Sequence, residues 1–151
     1  MPADGASLRI GELAARTGRS VHAIRWYESQ GLVPGVARDA GGRRVYDERH
    51  VAWLDLMARL RATGMPIAEM REYTVLVMQG SRSLRQRREL LEAHRRRVEA
   101  SMAEMKRSLE LVDAKIDFYD AWMHSGQRPP LVAVVDAAAS APRKARAGSR
   151  R

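Results

Sequence analysis

From residue 98 onward the apolar side chains recur in alternating steps of four and three: Val98, Met102, Met105, Leu109, Val112, Ile116 and Tyr119. That spacing is a coiled-coil seam, because a repeat averaging 3.5 residues keeps one stripe of a helix turned toward a neighbour. Extended backwards, Leu91 and Leu84 fall on one row of the seam, whereas Arg95 and Arg88 fall on the other. The pattern predicts a single helix over 81–123, about 60 Å long at ~1.5 Å per residue. Such a helix cannot bury its stripe alone, and the rest of the sequence holds no second long helix to cover it. The charges suggest what does: residues 81–97 carry +5 and residues 98–123 carry −3. A parallel pair would set basic against basic, while an antiparallel pair sets each basic half beside the partner's acidic half. The expectation is therefore an antiparallel coiled-coil homodimer, with Leu91 joining the seam from Val98 to Tyr119. The competing reading folds the helix back onto its own domain.

Shorter elements precede it. Ile10, Leu13 and Ala14 sit at i, i+3 and i+4, and Gly18 closes a first helix over about 10–17. Ser20 is suited to cap a second helix, which turns Ala23 and Ile24 inward and ends at Gly31. The link Thr17-Gly18-Arg19 is short enough for the turn of a helix-turn-helix. In "VPGVARDAGGRRVY" the prolines and glycines argue against helix, and the Gly41-Gly42 pair predicts a small β-hairpin, a wing. Asp47 caps a third helix that buries Val51, Leu54 and Ala58; "TGMP" at 63–66 breaks it; Pro66 opens a fourth to about Met78. Ser83 and Gln86 have capping-box spacing for the long helix.

The second helix carries the chemistry. His22, Arg25, Trp26 and Tyr27 lie on its neighbouring turns. The second helix of a helix-turn-helix enters the major groove, where Arg pairs bidentately with guanine and ring edges pack on the sugar-phosphate chain. Arg38, Arg43 and Arg44 on the wing suit flanking phosphates. Any one of these residues is more often a solvated charge or a core ring. The joint order of capped helix, turn, recognition-like helix and basic Gly-rich hairpin is what points to double-stranded DNA.

"LRIGELAARTGRSVHAIRWYESQGLVP" followed by "RDAGGRRVYDERHVAWLDLMARLRATGMPIAEM" resembles the DNA-binding domain of the MerR family of bacterial transcription regulators, over about residues 8–78. The resemblance implies a mainly α fold, in which a winged helix-turn-helix is followed by an antiparallel dimerisation helix. It implies DNA contacts by Ser20, His22, Arg25, Trp26 and Tyr27 on the recognition helix, by Arg44 and Tyr46 of the wing, and by Arg61 near the operator centre. It further implies a homodimer on a palindromic promoter operator that bends and untwists an over-long spacer for RNA polymerase, activating or repressing transcription. Two residues depart from the family pattern: Arg43 stands where an aromatic is usual, and Trp26 where Tyr is common.

The chain has no Cys, which removes disulfides and thiolate metal ligation, and with them the metal- and redox-sensing subfamilies. His22, His50, His94 and His124 lack metal-site spacing. No cofactor is expected. No nucleophile–base pair, phosphate loop or paired carboxylates suggest an enzyme. No apolar run approaches the ~18 residues of a membrane span, and MPADGASLRI lacks the regions of a signal peptide, so a soluble cytoplasmic protein is expected. Of the net charge of +9, +5 lies in 124–151, which reads as a disordered basic tail containing "LVAVV". Residues 1–7 read as a disordered N-terminus, and 124–151 are too few for a large ligand-binding domain. Phe118, Tyr119, Trp122 and Met123 form a candidate pocket for a small organic, non-metal inducer, with a cap on the dimer core as the plainer reading. An architectural or excisionase-like DNA-bending protein, or a simple repressor with no inducer, is the alternative function.

Overall fold

The computed structural model describes residues 7–130. Expectations for residues 1–6, for "LVAVV" and for the rest of 131–151 lie outside the described residues. The chain divides into two compact units, Met1–Val98 and Glu99–Arg151. In the first, α1 (Ile10–Thr17) and α2 (Val21–Ser29) are joined by the predicted turn, where Gly18 takes a left-handed backbone (φ 64°) and its amide donates to the Ala14 carbonyl. A two-stranded antiparallel wing follows, β1 (Ala37–Arg38) and β2 (Arg44–Val45), with Ala37 opposite Val45 and Arg38 opposite Arg44. Leu8 bridges to Tyr46 through two backbone hydrogen bonds of 2.8 and 3.0 Å, which ties the start of the unit to the wing. Helices α3 (Glu48–Ala62) and α4 (Ile67–Met78) complete the layer, α1 packing on both α2 and α3, and α3 on α4.

The core is built from inward positions of the helices α1 to α4: Leu13 of α1, Ile24 and Tyr27 of α2, Leu54, Met57 and Leu60 of α3, Met70 and Tyr73 of α4, with Leu8, Leu32, Tyr46 and Met65 from the connections. Each large side chain so buried is worth roughly 1.5–3 kcal/mol. Val51 and Ala58, expected on the buried face of α3, are partly buried beside it.

A 3-10 turn, Gly80–Ser83, leads into α5, Leu84–Ser125. The capping box expected of Ser83 and Gln86 does not form. Ser83 is buried, and its hydroxyl donates to the carbonyls of Leu76 and Gly80 (3.1 Å to the latter). A buried donor must find an acceptor, and the end of α4 supplies free carbonyls. The opening turns of α5 belong to the first unit: Leu90 and Leu91 pack against its core. The hydroxyl of Thr63, at the end of α3, lies within hydrogen-bond distance of His94 Nε2 (2.8 Å), and Arg97 pairs with Glu69 of α4.

In the second unit α5 continues to Ser125, and the Gly126 amide donates to the Trp122 carbonyl at 2.9 Å. Met102, Met105, Leu109, Val112, Ile116 and Tyr119 are all about half exposed or more, from 49% at Tyr119 to 67% at Met105. Leu91 and Val98 are only partly exposed. Among the described residues no helix is long and apolar enough to cross a membrane.

The cap of α3 titrates. Asp47 accepts from the backbone N–H of Arg49 (2.9 Å) and His50 (3.4 Å), and the Arg49 guanidinium, bonded to its other oxygen at 2.7 Å, holds its carboxyl down at about 2. A depressed carboxylate contributes stability that is complete above its unfolded value of 3.8 and is lost as pH falls toward about 2. Asp47→Asn keeps a capping oxygen but removes the charge. The stability advantage of the wild-type chain, measured by denaturant titration, should therefore shrink between about pH 4 and pH 2. An advantage that stays constant across this window would show that the cap carries no linked charge.

Candidate nucleic-acid interface

Helix α2 begins where its cap places it: Ser20 Oγ accepts from the Ala23 amide at 3.0 Å. Ile24 and Tyr27, three residues apart, face the core, which turns His22 and Arg25, also three apart, to the outside. Neither His22 nor Arg25 has a hydrogen bond or ion pair within the described residues. Trp26 lies between the two faces. Half-buried, it meets Tyr27 edge-on at 5.1 Å and carries the Arg61 guanidinium over its ring, 4.5 Å from the centroid.

The wing turns through Gly42, whose left-handed backbone (φ 76°) lets its amide reach the Asp39 carbonyl at 2.9 Å. Asp39 holds the turn together. Its carboxylate accepts the Arg43 amide at 2.9 Å and pairs with Arg9 (2.7 Å) and Arg43 (3.5 Å), and these, the Arg43 amide first, hold its carboxyl below the usual range. Arg38 donates to the Gly42 carbonyl at 2.6 Å. Beyond the turn, Arg44 pairs with Glu28 of α2 at 2.8 Å, and the Tyr46 hydroxyl donates to the same carboxylate. Burial first, and then Glu28, pushes the Tyr46 hydroxyl far above its ordinary value, so it remains a donor.

Three further contacts fix the end of α2. Trp53 Nε1 donates to the Leu32 carbonyl at 2.6 Å while its ring stacks on Tyr73 (5.8 Å, 8°). His50 Nε2 lies 3.2 Å from the Pro34 carbonyl. Arg71 donates to both the carbonyl and the side chain of Gln30, at 2.8 and 2.6 Å. The recognition-like helix, the wing and α3–α4 are thereby locked in one frame, with His22, Arg25, Arg61 and the wing arginines exposed.

The MerR HTH family regulatory protein model matches residues 8–74, and the MerR DNA-binding model matches 51–115. An uncharacterised HTH-type transcriptional regulator of Haemophilus influenzae is 32% identical over 106 residues, 70% of this chain and 78% of the relative. The chain belongs to the MerR family. HiNmlR, a MerR family regulator lacking the sensor domain and solved bound to promoter DNA, superposes with a TM-score of 0.69 at 29% identity, over 81% of this chain and 97% of HiNmlR. A MerR family transcriptional regulator from Listeria monocytogenes superposes at 0.74 with 31% identity, over 80% and 91% of the two chains. The protein is accordingly a MerR-family transcriptional regulator and not an enzyme.

Apart from the stacked Trp26 and Arg61, the residues expected to touch DNA fall into three groups. His22 and Arg25 are exposed and uncommitted, and Ser20 is exposed but spends its oxygen as a cap. Arg38, Arg43 and Arg44 are exposed, each with one intramolecular partner. Tyr46 is 1% exposed and Tyr27 6%, so both rings are core, and Tyr46 acts on the interface only through Glu28. Glu28 and Asp39 are not legible as site residues in the sequence, since nothing local pairs Glu28 with Arg44 and the Tyr46 hydroxyl, 16 and 18 positions on, or Asp39 with Arg9, 30 positions back. The distant rings form their own cluster in the second unit. Phe118 is buried and edge-on to Tyr119 (5.6 Å) and Trp122 (6.0 Å), Lys115 lies 4.6 Å from its centroid, and Arg128 lies over Trp122 at 5.5 Å. Met123 is exposed.

Glu28→Ala strands the buried Tyr46 hydroxyl and frees Arg44, at an expected cost of about 2–3 kcal/mol for a lost charge-assisted hydrogen bond with an orphaned donor. Glu28→Gln, which keeps an acceptor, should lose roughly half as much. Denaturant unfolding reads both. A loss below about 0.5 kcal/mol for the Ala variant would show that this carboxylate does not secure the wing.

Proposed function

We propose that the protein works as a homodimer on a palindromic promoter operator and controls transcription by bending and untwisting the DNA between the promoter elements. The observation that carries the reading is the exposed, uncommitted pair His22 and Arg25 on a capped recognition helix, flanked by an arginine-bearing wing locked to that helix. Base edges are reached by such a helix and phosphates by such a wing. The promoter-bound state of HiNmlR supports DNA as the ligand. Deformation of the operator is physically open to a dimer of this kind, since bending a site of this length costs ~1–6 kcal/mol, within reach of added phosphate contacts. RNA polymerase on the realigned promoter is the expected partner, and the cytoplasm the expected location.

Dimerisation is supported by the bare stripe on α5. Met102, Met105, Leu109, Val112 and Ile116 are each at least half exposed. Burying the exposed part of five such side chains on each of two chains gives roughly 10–15 kcal/mol gross, enough to offset the ~4–15 kcal/mol cost of association. The +5 and −3 halves of the long helix favour the antiparallel arrangement. A small organic inducer would find Tyr119, Trp122 and Met123 exposed, whereas Phe118 is spent on packing.

Selection of binders from a random duplex library by the full chain should return an inverted repeat whose half-sites are one helical turn or a multiple apart, about 34–36 Å per turn. Met105→Glu with Leu109→Glu would bury charge in the seam, at several kcal/mol. The variant should elute as a monomer in size-exclusion chromatography, keep its helical circular dichroism over the first unit, and lose affinity for the selected repeat. Crosslinking fixes the orientation: Cys at position 91 should join Cys at position 112 of the partner more readily than another Cys at 91. Direct repeats, a monomeric wild-type chain, or preferred 91–91 pairing would each overturn the corresponding part of the proposal.

A further inference from the structure

The arginines of residues 9–71 differ in what they have left to give. Arg9, Arg16, Arg19, Arg43, Arg44, Arg49 and Arg59 each pair with a carboxylate, and Arg38 and Arg71 donate to backbone carbonyls. Arg25 and Arg61 alone in this stretch have neither a hydrogen bond nor an ion pair. Both flank Trp26, and they are not equivalent. Arg25 is exposed and stacks on no ring. Arg61, from the last turn of α3, lies over the indole of α2 with its central carbon 4.5 Å from the ring centroid.

A salt bridge consumes the edge of a guanidinium, where its N–H groups point. A ring consumes only its face, and all five in-plane donors stay available for a phosphate. The stack also restricts a long side chain beforehand, so less rotamer entropy remains to be lost when it is fixed on a ligand. Trp26 is itself held, packed on the core and edge-on to Tyr27 at 5.1 Å. We propose that Trp26 is a positioning residue: its indole is a platform, anchored on the recognition helix, that presents the unspent edge of Arg61 to a DNA phosphate, so that Trp26 acts on DNA affinity through Arg61 rather than by touching DNA. This rests on the DNA-binding reading above. It gives a reason for Trp at position 26, because indole is the strongest of the aromatic faces for a cation.

The test is a double-mutant cycle on the full chain, reading the dissociation constant by fluorescence anisotropy over a salt series, with the selected repeat and an unrelated duplex. Trp26→Leu and Arg61→Ala should each weaken binding to both duplexes by about 5- to 30-fold and lower the salt slope by about one. The double variant should bind no more weakly than the weaker single variant. Trp26→Tyr, which retains a ring face, should lose at most about threefold. Trp26→Leu combined with Arg25→Ala should multiply, since Arg25 does not use the platform. If Trp26→Leu melts below the assay temperature, Trp26→Met fills the space without a π face and takes its place in the cycle. Multiplying losses for the 26/61 pair, or a Tyr variant as weak as the Leu variant, would overturn the role. Failure of the wild-type chain to bind either duplex would instead count against the DNA-binding reading itself.

Discussion

A single carboxylate on α2 sets the geometry on which the interface depends. Glu28, only 12% exposed at its side chain, receives Arg44 at 2.8 Å and the buried Tyr46 hydroxyl, and so joins the recognition helix to the second strand of the wing. A mostly buried carboxylate is unfavourable unless it is neutralised, and Arg44, itself about half exposed, does this. The two-residue strands of the wing could not hold their orientation by backbone pairing alone. Glu28 at the base and Asp39 at the turn supply the missing constraint.

That constraint alters how the basic charge should be counted. Residues 1–46 carry a net +3, yet the wing arginines are engaged with Glu28, Asp39 and the Gly42 carbonyl. They can still attract phosphate through their free N–H groups, but part of their charge is already answered. Within residues 9–71 the arginines with no hydrogen bond or ion pair to a described residue are Arg25, next to Trp26 in sequence, and Arg61, stacked on its ring. The ion pairs around them, between largely exposed side chains, fix positions more than they add stability.

The parts of this design legible in the sequence are those decided within a few residues. Ser20, Asp47 and Pro66 open helices, Gly18 closes one, and Gly42 turns the wing, because a cap or a left-handed turn is a matter of local chemistry. The same logic failed at Ser83, where a buried position overrode the cap and sent the hydroxyl to the end of α4. It also could not place Tyr46, which the wing motif offers to DNA and the fold buries at 1% exposure. Neither the Glu28 link, 16 and 18 positions long, nor the stacking of Arg61 on Trp26 has any local signature. Pairings of this kind are set only when the core assembles, so spacing within one helix carries no trace of them.

Helix α5 answers to two different physical demands along its length. Up to Val98 its inner face is committed to the first unit through Leu90, Leu91, His94 and the Arg97–Glu69 pair. This explains why Leu91, although on the row that the sequence pattern assigns to a seam, is only partly exposed: its side chain packs against the domain core. Beyond Glu99 the helix carries local side-chain bonds, such as Ser108 to Glu104 and Arg107 to Glu104, three or four residues apart. Local pairs of this kind add only ~0.2–0.5 kcal/mol each, and helical stability in water comes mainly from packing an apolar face. Residues 99–125 bear such a face with no cover among the described residues, so their helical order draws on whatever covers it. In a homodimer that cover is supplied by the same stripe, which makes order in this segment and assembly of the dimer one equilibrium, dependent on protein concentration.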